Sequence, residues 1–389
     1  MIMKLALEAD RVFTGRSDGA EKAVVLIDDD RIVSVDTWLA DDTVPVMRLP
    51  GTTLLSGLID AHTHVSVLPA CGNQIDQMKR PVEEQLAAAR ANVLADLTSG
   101  VTTMRIMGQE LDVDFRLRDE IAGGRSLGPD LVCAGVQLAK PGGHGHALTS
   151  VSTVDDIKRL VNANASRGAG LIKIFTTGGV SSVASSQGDC PFTDREIRTA
   201  ADAAHRHGLK LASHAHGGVG AKLAIENGVD TIEHGALLDE RLIEEAARRG
   251  LAIVGTFSIA EHPAGVEAGD ASRPEIIAKL REVRTRIGET WRRILQSGVD
   301  VALGTDSMHG CLAFDVTRLT AFGATPARAI RAVTRDAATV CGLTDRGTIA
   351  PGLRADLIAV LGNPLDDVRS LACPVLVIKA GRIVHRLGV

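Results

Sequence analysis

Eight short apolar runs recur through the middle of the chain with helix-like segments between them, and this alternation restricts the possible folds more than any other feature. The runs are Leu54 to Asp60, Val101 to Met107, Asp130 to Gly135, Leu171 to Thr177, Lys210 to His216, Thr231 to Gly235, Leu251 to Phe257 and Val299 to Asp306. Helical patterns such as Val82 to Ser99, Val154 to Arg167, Asp194 to His207, Gly220 to Asn227 and Asp239 to Arg249 separate them. Strand and helix in alternation predict a parallel α/β architecture, and eight repeats predict a closed (β/α)8 barrel of the TIM type. The flanks read differently, as short strands with turns: Ala23 to Ile27 and Arg31 to Val35 on one side, Ala355 to Val360 and Pro374 to Lys379 on the other. Residues 1–53 and 347–389 are therefore expected to build one small β-sandwich beside a barrel of residues 54–346.

Several of the central runs end in residues that core packing does not explain. His62 and His64 stand two apart in Gly57-Leu58-Ile59-Asp60-Ala61-His62-Thr63-His64, so on a strand both rings point the same way. Later runs deliver Lys173, His214, His234 and Asp306 at or near their C-terminal ends. A lone His pair can sit on a polar strand edge, and a lone lysine can reach from a strand end to solvent. The repetition of the placement argues for a shared site, since ligands converge at the C-terminal mouth of such a barrel. Imidazole nitrogen and carboxylate oxygen suit zinc and its divalent neighbours, and no thiolate lies in the set.

These residues, in this order, resemble the amidohydrolase superfamily, metal-dependent hydrolases built on a distorted (β/α)8 barrel. Gly142-Gly143-His144-Gly145-His146, the Thr-Thr-Gly-Gly-Val segment beyond Lys173, and Ser213-His214-Ala215-His216-Gly217 resemble its prolidase-like branch. The resemblance implies two divalent cations, zinc foremost. It implies His62, His64 and Asp306 on one cation, His214 and His234 on the other, and an N6-carboxylated Lys173 bridging them. A free ammonium beside two dications would be repelled, whereas a carbamate is an anionic oxygen donor. Asp306 is the implied general base, passing its proton later to a leaving amine. The implied reaction is hydrolysis of a C–N bond in a small acyl-amino-acid, peptide-like or related amide. Carbamate, urea or cyclic-amide substrates, the last as in an imidazolonepropionase, form the second reading, and a metal-free scaffold the third.

Substrate contacts are expected from His144 and His146 in the glycine-rich loop, from His216, which shares a strand face with His214, and from His309, three residues past Asp306. The chain contains no tyrosine, so a histidine would have to take the place of a phenol at a substrate carboxylate. The loop from Val65 to Arg80 offers Val67, Leu68 and Met78 for an apolar pocket. Gly178 to Asp189 is a candidate lid or a surface loop. The arginines 281, 284, 286, 292 and 293, on a helix starting at Pro274, read as a solvated or intersubunit face. His205 and His207, at a helix end on the far side of the barrel, read as structural, as does Asp356.

Composition agrees with this picture and narrows the partners. At 389 residues, 45% hydrophobic and 23% charged, the chain can bury one large core and a smaller unit. A net charge of −5 without a long basic run excludes a nucleic-acid surface of the usual kind. The N-terminus does not read as a signal peptide and no run reaches membrane-spanning length. Six scattered cysteines lack Cys-x-x-Cys spacing. The expectation is a cytoplasmic homo-oligomer acting on a small molecule, with neither nucleic acid nor membrane as partner.

Overall fold

The computed structural model describes residues 4–38, 43–183 and 185–387. Its strands are β1 Leu5–Phe13, β2 Glu21–Asp28, β3 Arg31–Asp36, β4 Val46–Ser56, β5 Leu58–Thr63, β6 Val101–Ile106, β7 Asp130–Cys133, β8 Leu171–Phe175, β9 Lys210–Gly217, β10 Thr231–Leu237, β11 Ala252–Gly255, β12 Asp300–Leu303, β13 Leu357–Leu361, β14 Pro374–Lys379 and β15 Arg382–Arg386. Ala184, inside the small polar loop expected after the fourth run, lies outside the described residues, as do the outermost residues of both terminal segments.

Strands β5 to β12 are the eight expected central strands, all paired in parallel, in a three-stranded sheet β5-β6-β7 and a five-stranded sheet β12-β11-β10-β9-β8. The expectation was one continuous ring of strands. Two seams interrupt it, and each is bridged by backbone hydrogen bonds. Leu138 donates to the Lys173 carbonyl and accepts from Phe175, while Thr305 and Asp306 donate to the His62 carbonyl. At the second seam Asp60 adds a side-chain clamp, accepting from the backbone of His62 and from the backbone and hydroxyl of Thr305.

The helices between these strands begin where local chemistry starts them. Thr153 and Asp156 form a reciprocal capping box, as do Thr193 and Glu196, and Asp239 caps the helix Glu240–Arg248. The longest helix, Pro274–Ser297, has proline at its start and ends at Gly298, whose φ of 78° suits a residue without a Cβ. Its buried residues Ile276, Leu280, Val283, Ile287, Trp291 and Ile294 recur at helical spacing and turn one face inward.

The strands of the two terminal segments are hydrogen-bonded into one seven-stranded sheet, β15-β14-β13-β4-β1-β2-β3. β1 pairs with β4 in parallel, and β13 from the far end of the chain pairs antiparallel with β4, Ile358 opposite Leu55. Leu54, Leu55 and Ser56, expected in the first central strand, belong to this sheet instead. They do so because the ladder to β13 runs as far as Ser56, and the chain turns into β5 only after Gly57. Asp356 secures the junction, accepting from the Ala380 backbone and facing Arg346 and Arg354, which also reach Asp130 at the start of β7.

Candidate active site

The C-terminal ends of β5, β8, β9, β10 and β12 bring His62, His64, Lys173, His214, His234 and Asp306 around one buried space. Ligand-capable atoms of His62, His64 and Asp306 all lie within 4.8 Å of one another. The Nε2 atoms of His62 and His64 are each 3.5 Å from Asp306 Oδ1. The His62 and His234 ring centroids are 4.7 Å apart, and those of His214 and His234 4.5 Å. Lys173 is fully buried 4.9 Å over the Phe175 ring, and its Nζ has no hydrogen-bond partner. An unpartnered buried amine is costly unless something else completes its surroundings. His234 and Asp306 have φ values of 71° and 36°, in a left-handed region that non-glycine residues enter only when the surroundings hold them. Both sit where the chain must turn a side chain into the mouth.

Each imidazole is oriented by its second nitrogen. His62 Nδ1 donates to Glu233 Oε2 at 2.7 Å, His64 Nδ1 to the Gly108 carbonyl at 2.9 Å, and His234 Nδ1 pairs with Thr256 Oγ1 at 2.7 Å. This leaves the Nε2 atoms of His62 and His64 facing Asp306, the tautomer a metal ligand needs. His214 Nε2 donates to the Gly178 carbonyl at 3.3 Å. Beneath His62 lies a charge pair that the sequence reading missed. Arg105 Nη2 donates to both Glu233 oxygens at 2.9 Å, and Thr231 Oγ1 donates to Glu233 Oε1 at 2.5 Å. Arg105 and Glu233 are 1% and 0% exposed, so the pair is sealed from solvent under the site.

Burial sets the protonation states. It draws the Lys173 amine below the usual lysine range against the pull of Glu233 and Asp306. It pushes the Asp306 carboxyl above the usual carboxylate range, although Lys173 opposes this. His144 and His216 are drawn down to about 3 and about 4, burial being the main cause for each, so both are neutral imidazoles.

Two connected cavities open over these groups, sharing Gln74, His144, His214, His234 and Asp306. The deeper one reaches His62, His64, Lys173, Gln137, Phe175 and Met78. The outer one adds His216, Thr256 and a largely apolar wall from residues 236 to 287. A larger surface groove, about 560 Å³, lies away from this centre between the helices Gly218–Glu226 and Glu240–Arg248.

Of the four expected substrate contacts, His144 and His216 line the cavity, each with its Nδ1 buried and unpartnered. Gly179 makes room for His144, since a Cβ there would overlap its ring. The other two stand elsewhere. His146 Nδ1 accepts from the Gly142 backbone, tying the glycine-rich loop to itself. His309 donates from Nδ1 to Asp96 Oδ2 at 2.6 Å and from Nε2 to the Val67 carbonyl at 3.2 Å, so neither nitrogen is free for a ligand. Of Val67, Leu68 and Met78, Met78 reaches the cavity, together with Ile75 of the same loop; Val67 packs with Met78 and Ala147, and Leu68 is exposed. The helix arginines do not line it either, and Arg284, Arg286 and Arg293 pair with Glu267, Glu282 and Glu289. His205 and His207 bond Asp230 and Asn162. Beyond Glu233 and Arg105, the sequence reading also missed Gln74, Gln137 and Thr256.

Comparison with known proteins agrees with the geometry. Residues 53–384 match the model of the amidohydrolase family. An ochratoxinase from Aspergillus niger is 27% identical over 94% of this chain and 83% of its own length. Among solved structures, a Xaa-Pro dipeptidase with methionine bound in its active site superposes with a TM-score of 0.89 at 29% identity, covering 98% of this chain and all of that one. A prolidase complexed with N-methylphosphonate-L-proline superposes at 0.91 with 26% identity, covering 99% of this chain and 100% of that one. The chain thus belongs to the amidohydrolase family and is a hydrolase of carbon–nitrogen bonds.

Proposed function

We propose that the protein hydrolyses the amide bond of a small acyl-amino-acid or peptide-like molecule, using two divalent cations, zinc foremost, at the mouth of its central strands. The two parallel sheets are read as one barrel closed at its two seams. The observation that carries the proposal is the convergence of His62, His64 and Asp306 beside Lys173, His214 and His234 in one buried space.

The donor set fits the cations. His62, His64 and Asp306 would hold one, His214 and His234 the other, and Lys173 would join them. Burial lowers the proton affinity of the Lys173 amine, so its lone pair is more available to the carbon of carbon dioxide than that of an exposed lysine; the N–H proton leaves to water and an anionic carbamate remains. The bound cations supply Lewis acidity, lowering the proton affinity of water and polarising a carbonyl.

The protein's own groups do the rest. Asp306 takes the proton of the attacking water and returns it to the departing amine. Glu233 keeps Nδ1 of His62 protonated and its Nε2 free. His144 and His216 are hydrogen-bonding, uncharged contacts for the substrate's polar atoms. The names of the prolidase, dipeptidase and ochratoxinase relatives support an amide substrate. A cytoplasmic homo-oligomer is part of the same proposal.

A mass-spectrometric hydrolysis screen tests it, with zinc-loaded enzyme against dipeptides, N-acyl amino acids, carbamates and aryl ureas. Cleavage of the first two classes is expected, falling by about 10²-fold or more in Asp306→Asn. Cleavage confined to carbamates or ureas would move the reaction to the second reading, and activity unchanged in Asp306→Asn would overturn the assignment of the base.

A further inference from the structure

The wall facing the reacting centre has a chemistry of its own. Across the outer cavity from His214, His234 and Asp306 stand Ile259, Ala260, Val266, Leu280, Val283 and Ile287. All six are at most 7% exposed. They come from one stretch of chain: the short helices Ser258–Glu261 and Val266–Asp270 and the inward face of the helix Pro274–Ser297. The spacing 280, 283, 287 places the last three on one helix face.

This wall is braced from behind. Asp315 Oδ1 accepts from the backbones of Phe257 and Ser258, and Arg284 Nε donates to the Ala260 carbonyl at 2.6 Å. Asn73 Nδ2 lies 3.5 Å from both oxygens of Asp270. Gly269 abuts the Pro69 carbonyl so closely that any Cβ would collide with it. A wall held by buried polar anchors is pre-formed, the property a specificity pocket needs.

The space is small. The outer cavity measures about 50 Å³, and at roughly 10–15 Å³ for each water-sized group it admits about four such groups. A cavity of this size favours a compact group over a long one.

We propose that this wall is a specificity pocket for a compact, branched apolar side chain carried by the substrate next to the scissile bond. The assignment rests on the amide-hydrolase reading for its reaction and on the cavity wall for its chemistry. Ile259 and Ala260, on the short helix Ser258–Glu261, both line it.

The test measures kcat/KM on zinc-loaded enzyme for N-acetyl amino acids and glycyl dipeptides whose side chains run from glycine through alanine, valine and leucine to aspartate. Calorimetry follows binding of the same compounds to Asp306→Asn. Leucine or valine is expected to exceed glycine by about 10- to 100-fold, with aspartate lowest. Ala260→Leu fills the pocket and is expected to move the optimum to alanine, whereas Ile259→Ala deepens it and favours leucine over valine further. A reordered ranking cannot come from a misfolded variant.

Hydrolysis with a flat ranking, an aspartate optimum, or the same ranking in both variants would overturn the pocket and leave amide hydrolysis standing. Graded binding that shifts in Ala260→Leu without hydrolysis of any compound by the wild type would uphold the pocket and overturn the amide reading. Neither binding nor hydrolysis would overturn both.

Discussion

Glu233 shows how one side chain can govern a site without touching its contents. It faces Arg105 on one side and His62 on the other, with no water-exposed surface. Removing one member of a buried pair leaves the other charge uncompensated, so Glu233→Ala is expected to lose about 3–5 kcal/mol in denaturant unfolding. Glu233→Gln keeps an acceptor for His62 but gives up the anion facing Arg105. It is expected to fold with a smaller loss and to hold zinc about 10- to 100-fold more weakly, read by competition with a chelator. The His-x-His pair, Lys173 and Asp306 were legible because strand period and strand-end position are local properties. Glu233 was not, because its partner His62 lies 171 residues away and alternation assigns it no face in common with His234. His309 misled for the same reason: its partner Asp96 is 213 residues distant and nothing near either residue announces the bond.

At the scale of elements, the mouth is shaped by loops that hold one another. Asn73 Nδ2 donates to the Ser181 carbonyl at 3.0 Å, and Lys279 Nζ donates to the Ser182 carbonyl at 2.6 Å, so the loops after β5 and β8 and the helix Pro274–Ser297 meet beside the cavity. Asn73→Ala is expected to raise KM several-fold with little change in kcat, because these contacts position the walls and not the reacting groups. The bond network behind the wall also carries a pH signature. Burial pushes the Asp315 carboxyl up to about 8, outweighing the hydrogen bonds from Ser258 and Phe257. The folded protein therefore keeps a proton that the unfolded chain releases near the ordinary aspartate value of about 4. This contribution to stability is complete below that value and is lost as pH rises through about 8. Wild-type Tm is expected to fall relative to that of Asp315→Asn between pH 5 and 9, and parallel curves would contradict the protonated state. The central strands were readable to within a few residues because each is an apolar run bounded by turn residues. The apolar wall was not, since its contribution to the cavity depends on how the helix Pro274–Ser297 is rotated against β10.

At the scale of the whole molecule, the two ends of the chain meet in one sheet. β13 lies between β4 and β14, so the last residues complete a structure begun by the first. Their strand character was visible in the sequence, but not the pairing of β4 with both β1 and β13, which joins residues some 300 positions apart in the case of Leu55 and Ile358. A chain ending at Arg346 would expose the β4 edge and the apolar residues Leu54 and Leu55. It is expected to aggregate rather than fold, as judged by solubility and circular dichroism. Among the described residues no helix is long and apolar enough to cross a membrane. Six side chains at the ends of five strands are proposed to hold two cations joined through Lys173. Counting divalent metal per chain after reconstitution with zinc and bicarbonate tests this most directly, in the wild type and in Lys173→Ala. Two zinc ions in the wild type and a clear loss in the variant are expected; a wild type that holds none, or a variant that holds as many, would contradict it.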